Sequence, residues 1–254
     1  MRKIKFALLV GLVLSLVLAS FTVGLSAEDQ PTYTFATEAA WAPWDYVNDQ
    51  GDLVGFDIDV IRAIAEVEGF NVKFKVMSWG SLIPAVKQGK ADMTGGGMSI
   101  TPTREEQVDF TDPYWFTEMA VLVRENSDLN IFSALTGGKT ISNQRGTTGA
   151  AWVKNNLIQE GYDVQQKLYE TYPQATQALL AGKVAASVQD LTTAKRMVDK
   201  GKDVKIAGTF RTGEAYGYAV QEGNDKLLKM LNDGLEKIQE SGKFNQLLKK
   251  YELK

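Results

Sequence analysis

An arginine placed three residues past a helix cap is the most chemically pointed feature of this chain. The segment Gly96-Gly97-Met98-Ser99-Ile100-Thr101-Pro102-Thr103-Arg104-Glu105 reads as a strand end, a glycine turn and a helix start. Thr101 suits the cap, and Pro102 suits the first helical position, where its missing N–H would have no partner. Arg104 adds a forked, permanently charged guanidinium to free backbone N–H groups that already attract anions. The combination predicts a seat for a carboxylate. A second strand-to-helix turn, Gly146-Thr147-Thr148-Gly149, aims its own N–H groups at an anion. A plain threonine N-cap explains it equally well. Asp190 follows an apolar strand end, where a buried carboxylate needs a cation or donors unless it merely caps the next helix.

Composition removes several chemistries. The 254 residues contain no cysteine, so there is no disulfide framework, thiol nucleophile or lipid-anchoring cysteine. They contain no histidine, which excludes histidine-based triads, histidine-ligated metals and a histidine pH switch. No cofactor is implied. Met1-Arg2-Lys3-Ile4-Lys5 is a positive stretch followed by an apolar run from Phe6 to about Val23 and then by small and polar residues. Residues 1–27 read as a secretory signal cleaved near Ser26 or Ala27, with an uncleaved anchor as the alternative. Its removal leaves 25 basic against 31 acidic side chains, a net charge of −6. That balance disfavours nucleic acid as a partner.

The elements that must position these residues alternate along the chain. Tyr33–Thr37, Asn71–Met77 and Ala91–Thr94 read as strands, and Gly55–Glu68 and Leu82–Gln88 as helices. In Asn71–Met77, Val72, Phe74 and Val76 fall on one face and Lys73 and Lys75 on the other. The grammar then restarts. Lys139–Asn143, Val164–Tyr169, Ala185–Val188 and Val204–Ala207 read as strands, and Ala150–Gln159, Pro173–Ala181 and a segment ending near Lys200 as helices. A strand near Tyr216–Val220 and helices over Asp225–Gln239 and Phe244–Tyr251 end the chain. The pattern predicts an α/β protein of two lobes, each with a largely parallel sheet, around a cleft. It leaves open whether the last helices return to the first lobe.

Several blocks carry a family likeness. These are Thr37-Glu38-Ala39-Ala40-Trp41-Ala42-Pro43-Trp44, Leu53-Val54-Gly55-Phe56-Asp57-Ile58-Asp59, Trp79-Gly80-Ser81-Leu82-Ile83-Pro84, Ala91-Asp92 and the opening segment continued through Val108-Asp109-Phe110-Thr111-Asp112-Pro113-Tyr114. Gly146-Thr147-Thr148 and Gln189-Asp190 extend it. In this order they resemble the polar amino-acid solute-binding proteins of ABC importers (bacterial extracellular solute-binding proteins, family 3), which have the type II periplasmic-binding fold. The resemblance implies lobe one at 30–116 and 215–254, lobe two at 119–212, and hinge crossings near 116–118 and 213–215. It implies an exported monomer, in the periplasm or at the outer face of the cell membrane, that closes on a small amino acid and meets a permease.

The resemblance also assigns roles. Arg104 would grip the ligand α-carboxylate, with Gly97, Met98 and Ser99 contributing from the same loop. Thr147 and Thr148 would hold that carboxylate from lobe two, and Asp190 would pair with the α-ammonium. Glu38 stands where binders of basic amino acids often place an acid, and Trp41 and Trp79 where rings sandwich the side chain. A carboxylate between indoles suits arginine or lysine through pairing and cation–π attraction. Glu38 would also accept from a neutral amide such as glutamine's. Trp44 reads as core. Two other functions are a prephenate or arogenate dehydratase, for which Glu38 would be the acid, and a sensory domain. Asp190 and the signal segment favour transport.

Overall fold

The computed structural model describes residues 30–253, so the expected signal segment lies outside the described residues. In the first half of the chain, β1 (Thr32–Thr37) leads to three short strands, β2 (Ala40–Trp41), β3 (Asp45–Val47) and β4 (Leu53–Val54). Then follow α1 (Phe56–Glu68), β5 (Asn71–Val76), α2 (Leu82–Lys87), β6 (Met93–Thr94), α3 (Pro102–Glu105) and β7 (Val108–Phe110). A short strand β8 (Trp115–Phe116) leads into β9 (Met119–Arg124).

The second half runs through α4 (Ile131–Ala134), β10 (Lys139–Gln144), α5 (Thr148–Val153), β11 (Val164–Tyr169), α6 (Tyr172–Leu180), β12 (Ala186–Asp190) and α7 (Leu191–Asp199). It ends with β13 (Val204–Phe210), β14 (Ala215–Tyr216), β15 (Ala219–Gln221), α8 (Asp225–Glu240) and α9 (Lys243–Lys250). The helix expected over Ala150–Gln159 starts two residues earlier and widens into a π-helical stretch at Lys154–Ile158.

Two five-stranded sheets form, in the orders β5-β1-β6-β15-β7 and β11-β10-β12-β9-β13. They are mixed rather than largely parallel. β5, β1 and β6 run parallel, but β15 lies antiparallel between β6 and β7. In the second sheet β11, β10 and β12 run parallel, and β9 lies antiparallel between β12 and β13. The antiparallel members are the strands that lie next to the crossings between the lobes. β8 and β14 pair there, Ala215 opposite Phe116 and Tyr216 opposite Trp115. At the sheet edge, Val76 is 58% exposed rather than sharing a buried face with Val72 and Phe74.

The last helices do return to the first lobe. Leu227, Leu231, Leu235 and Ile238 follow helical spacing and lie on one buried face of α8. With Phe244, Leu247 and Leu248 of α9 they share a core with Phe56, Ile61 and Ile64 of α1. Each such aliphatic side chain contributes about 1.5–3 kcal/mol when fully buried. Tyr251 and Lys250 both donate to Asp59 in the first turn of α1, each at 2.6 Å. Trp44 is fully buried in the same core, as expected.

Gly234 sets how closely α8 approaches α1. A Cβ added there would lie 2.6 Å from Ile64 Cγ2 and 3.1 Å from Glu68 Cγ. Ile64 is fully buried and branched at Cβ, so it has little room to yield. Overpacking costs about 1–3 kcal/mol, against a helix-propensity gain of about 1 kcal/mol for Gly→Ala. Gly234→Ala should therefore lower the unfolding free energy on balance, as read by chemical denaturation.

Candidate functional site

The parallel strands of both sheets direct their carboxyl ends at one crevice, where open α/β sheets hold ligands. β1 ends just before Glu38, β6 just before the 95–99 turn, β10 at Gln144 and β12 at Asp190. A cavity of about 20 Å³ lies there, lined by Glu38, Trp41, Trp79, Gly97, Ser99, Arg104, Thr147, Thr148 and Asp190. Gln144 and Tyr172 also line it.

The glycine turn is built from below by carboxylates. Asp57 is fully buried and its Oδ2 accepts from the N–H groups of Gly96 at 2.9 Å and Gly97 at 2.7 Å. Tyr114 Oη donates to the same oxygen at 2.8 Å, and Tyr218 Oη to Oδ1 at 3.0 Å. Four donors thus fix one side chain, and that side chain fixes the loop. Both glycines have positive φ, +95° and +65°. A Cβ on Gly96 would lie 2.8 Å from Asp45 Oδ2, and one on Gly97 3.0 Å from Trp44 Cδ1. Glycine is required there on both counts. Met98, between Gly97 and Ser99, points the other way. Its side chain is 1% exposed in a core with Leu82, Val86 and Val108, so only its backbone remains near the site.

Arg104 follows from the Thr101 cap, whose Oγ1 accepts from the Arg104 N–H. Its guanidinium donates from Nη1 to the Ser99 carbonyl at 2.6 Å and from Nη2 to the Gly146 carbonyl at 3.3 Å. Gly146 also accepts from Trp79 Nε1 at 3.1 Å, and Arg104 lies over the Trp79 ring at 5.3 Å from its centroid. Burial lowers the Arg104 pKa to about 10, opposed by Glu214 and Asp190. Trp41 stacks on Tyr172 with centroids 4.3 Å apart, so one indole face is already covered.

In the second lobe Thr147 is the N-cap, accepting from Ala150 N–H, while Thr148 opens α5 with its hydroxyl in the site. Asp190 does not cap α7 with its side chain; it accepts from Tyr216 Oη. Burial pushes Asp190 well above the usual carboxylate range, with Glu214 adding to the effect and Arg104 opposing it. At the far end, Gln144 Nε2 donates to both Glu38 oxygens at 2.7 and 2.9 Å and to the Glu170 carbonyl. Burial raises the Glu38 pKa, and the Gln144 bond opposes it.

The reading from sequence did not reach three residues. Gln144 ends a strand at the crevice and Tyr172 opens a helix beside it, so topology was the available signal. Glu214 lies just before β14, and its residue type gave none. Its Oε2 accepts from Ser99 Oγ at 2.7 Å and Thr148 Oγ1 at 2.8 Å. Among the described residues no cluster of histidine, cysteine or acidic side chains could hold a metal ion, and no helix is long and apolar enough to cross a membrane.

The profile of the bacterial extracellular solute-binding proteins, family 3, matches residues 33–254. The chain belongs to this family. It is 32% identical over 230 residues to a probable histidine-binding protein of Neisseria gonorrhoeae, covering 89% of this chain and 85% of that one. It is 32% identical over 255 residues to an L-arginine-binding protein of Pseudomonas aeruginosa, covering 97% and 96%. Among solved structures, an ancestral arginine-binding protein bound to arginine superimposes with a TM-score of 0.81 at 36% identity, over 88% of this chain and 99% of that one. The ancestral protein bound to glutamine gives the same TM-score, over 87% and 98%. An ancestral amino acid-binding protein, a precursor of cyclohexadienyl dehydratase, gives 0.80 at 30% identity, over 87% and 95%. The fold is thus the two-lobed type II periplasmic-binding fold of the family.

Two outcomes are expected from the buried acids. Asp57→Ala would leave four donors without an acceptor, each costing about 1–3 kcal/mol when buried. Asp57→Asn keeps an acceptor toward Gly96, Gly97 and Tyr114, and should lose far less stability in chemical denaturation. Asp45, fully buried, accepts from Thr37 Oγ1 and the N–H groups of Glu38 and Ala39. Burial raises its pKa from 3.8 to about 8 and that of Asp57 to about 6. The native state therefore keeps protons that the unfolded chain releases. That stability is present below pH 3.8 and is lost as pH rises through about 6 for Asp57 and about 8 for Asp45. Denaturation across this window should show a falling unfolding free energy, and Asp45→Asn should flatten the fall by at most about 1.4 kcal/mol per pH unit.

Proposed function

We propose that this protein captures a polar L-amino acid, arginine or lysine by preference, and delivers it to the permease of an ABC importer. Residues 1–27 would direct its export. Lobe one, 30–116 with 215–254, would close on lobe two, 119–212, about crossings near 116–118 and 213–215. The observation that carries the reading is the charge layout of one cavity. Arg104, the hydroxyls of Ser99 and Thr148, Asp190, Glu38, Trp41 and Trp79 line it together, with the Trp79 ring against Arg104.

That layout matches an α-amino acid at its common end. The carboxylate takes Arg104, Ser99 and Thr148, and the ammonium takes Asp190, whose burial an ammonium offsets. Glu38 then meets the side chain. Asp190 and Glu214 lie beside the single guanidinium of Arg104, and Glu38 adds a third carboxyl group elsewhere in the same cavity. A ligand carrying an extra positive charge relieves that excess, and a neutral one does not. Arginine also stacks its flat guanidinium on an indole. The Pseudomonas and ancestral arginine-binding relatives support this choice.

A second ligand, glutamine, has its own supporting observation. Glu38 already accepts from the Gln144 side-chain amide through both oxygens, and a glutamine side chain presents the same group. The ancestral relative that binds arginine was also solved with glutamine. No step of catalysis is assigned, and arogenate should yield no phenylalanine on incubation.

Titration calorimetry should show one arginine or lysine per chain, and silence toward all proteinogenic amino acids would refute the reading. Arg104→Ala and Asp190→Ala should each cost about 2–5 kcal/mol of binding, because each leaves a ligand charge unpaired. Glu38→Gln should lower the ratio of arginine to glutamine affinity by about tenfold or more. An unchanged ratio would remove Glu38 as the specificity residue.

A further inference from the structure

We propose that Glu214 is an affinity-setting residue of the cleft, an internal carboxylate that bridges the Ser99 and Thr148 hydroxyls and that the ligand's α-carboxylate must displace. The inference rests on the functional reading above for the identity of the displacing group, but its geometry stands by itself. One oxygen, Oε2, accepts from Ser99 Oγ of the first lobe at 2.7 Å and from Thr148 Oγ1 of the second at 2.8 Å. The other oxygen accepts from Thr212 Oγ1 at 3.1 Å. The backbone beneath is fixed, since the Glu214 carbonyl accepts from Thr117 N–H and the next residue, Ala215, pairs with Phe116 across the crossing.

Two hydroxyl donors next to a guanidinium are the donor set of a carboxylate seat, and Glu214 fills it with a carboxylate of the chain itself. A hydroxyl has one proton to give. Ser99 and Thr148 therefore cannot serve Glu214 and an incoming carboxylate together. Binding becomes an exchange in which hydrogen bonds are replaced in kind, so those two contacts add little net affinity. Glu214 also raises the Asp190 carboxyl further above its usual range, after burial, and its departure lessens that rise. Because the two hydroxyls belong to different lobes, the same oxygen draws the lobes together before any ligand does.

The test compares wild type with Glu214→Ala and Glu214→Gln, the latter keeping the size of the side chain. Calorimetry with L-arginine should give tighter binding for alanine, by about three- to tenfold, because the competing state is removed, and a smaller gain for glutamine, whose amide oxygen still accepts from the hydroxyls. Unchanged or weaker binding in Glu214→Ala would overturn the proposal. Small-angle scattering of the ligand-free proteins reads the bridge separately. Glu214→Ala should be more expanded than wild type, and a profile superimposable on that of wild type would overturn the bridge. If wild type binds no amino acid, the functional reading fails while the scattering still decides whether Glu214 holds the lobes.

Discussion

The site depends on one buried carboxylate. Asp57 gathers two glycine N–H groups and two tyrosine hydroxyls, and through them it fixes the turn on which Gly97 and Ser99 face the cleft. The tyrosines come from distant parts of the chain, Tyr114 before the first crossing and Tyr218 after the second. A single acid thus ties the glycine turn to the segments on either side of the β8–β14 pair. Such a group is costly to bury unless every lone pair is used, which is why the arrangement is so fully satisfied. The neighbouring Asp45 is less complete, with Oδ1 lacking a partner, and its carboxyl is raised further.

Around that fixed loop the cleft is held by contacts that cross from lobe to lobe. The Gly146 carbonyl accepts from both Trp79 and Arg104, Gln144 donates to Glu38, and Tyr172 stacks on Trp41. Each of these first-lobe groups is also one that the sequence assigns to ligand. The residues that the sequence assigns to the ligand and the residues that join the lobes are therefore largely the same set. None of these groups can change its partner without altering the grip between the lobes.

Much of the site was legible because strand ends and turns announce themselves. Thr101 and Thr147 cap helices as their spacing implies, and Val164–Tyr169 forms the strand that its alternation predicts. Met119–Arg124 gave no alternation, because every residue through Val123 is buried on both faces of a central strand. Met98 was read into the site by its neighbours, whereas an extended chain turns alternate residues away from one another. Glu214 was beyond reach. Its partners sit 115 and 66 residues away, and only the pairing of the two crossings brings them together.

The strand order of the first sheet has a consequence for how the chain is made. β15 lies between β6 and β7, although some 110 residues separate it from β7 in sequence. During synthesis the first sheet therefore waits with a gap in its middle until residues 219–221 have been made. The second sheet takes all its strands from one continuous stretch and has no such wait. The sheet that begins first is thus completed last, and the nascent chain keeps it open until every strand of the second sheet has been made.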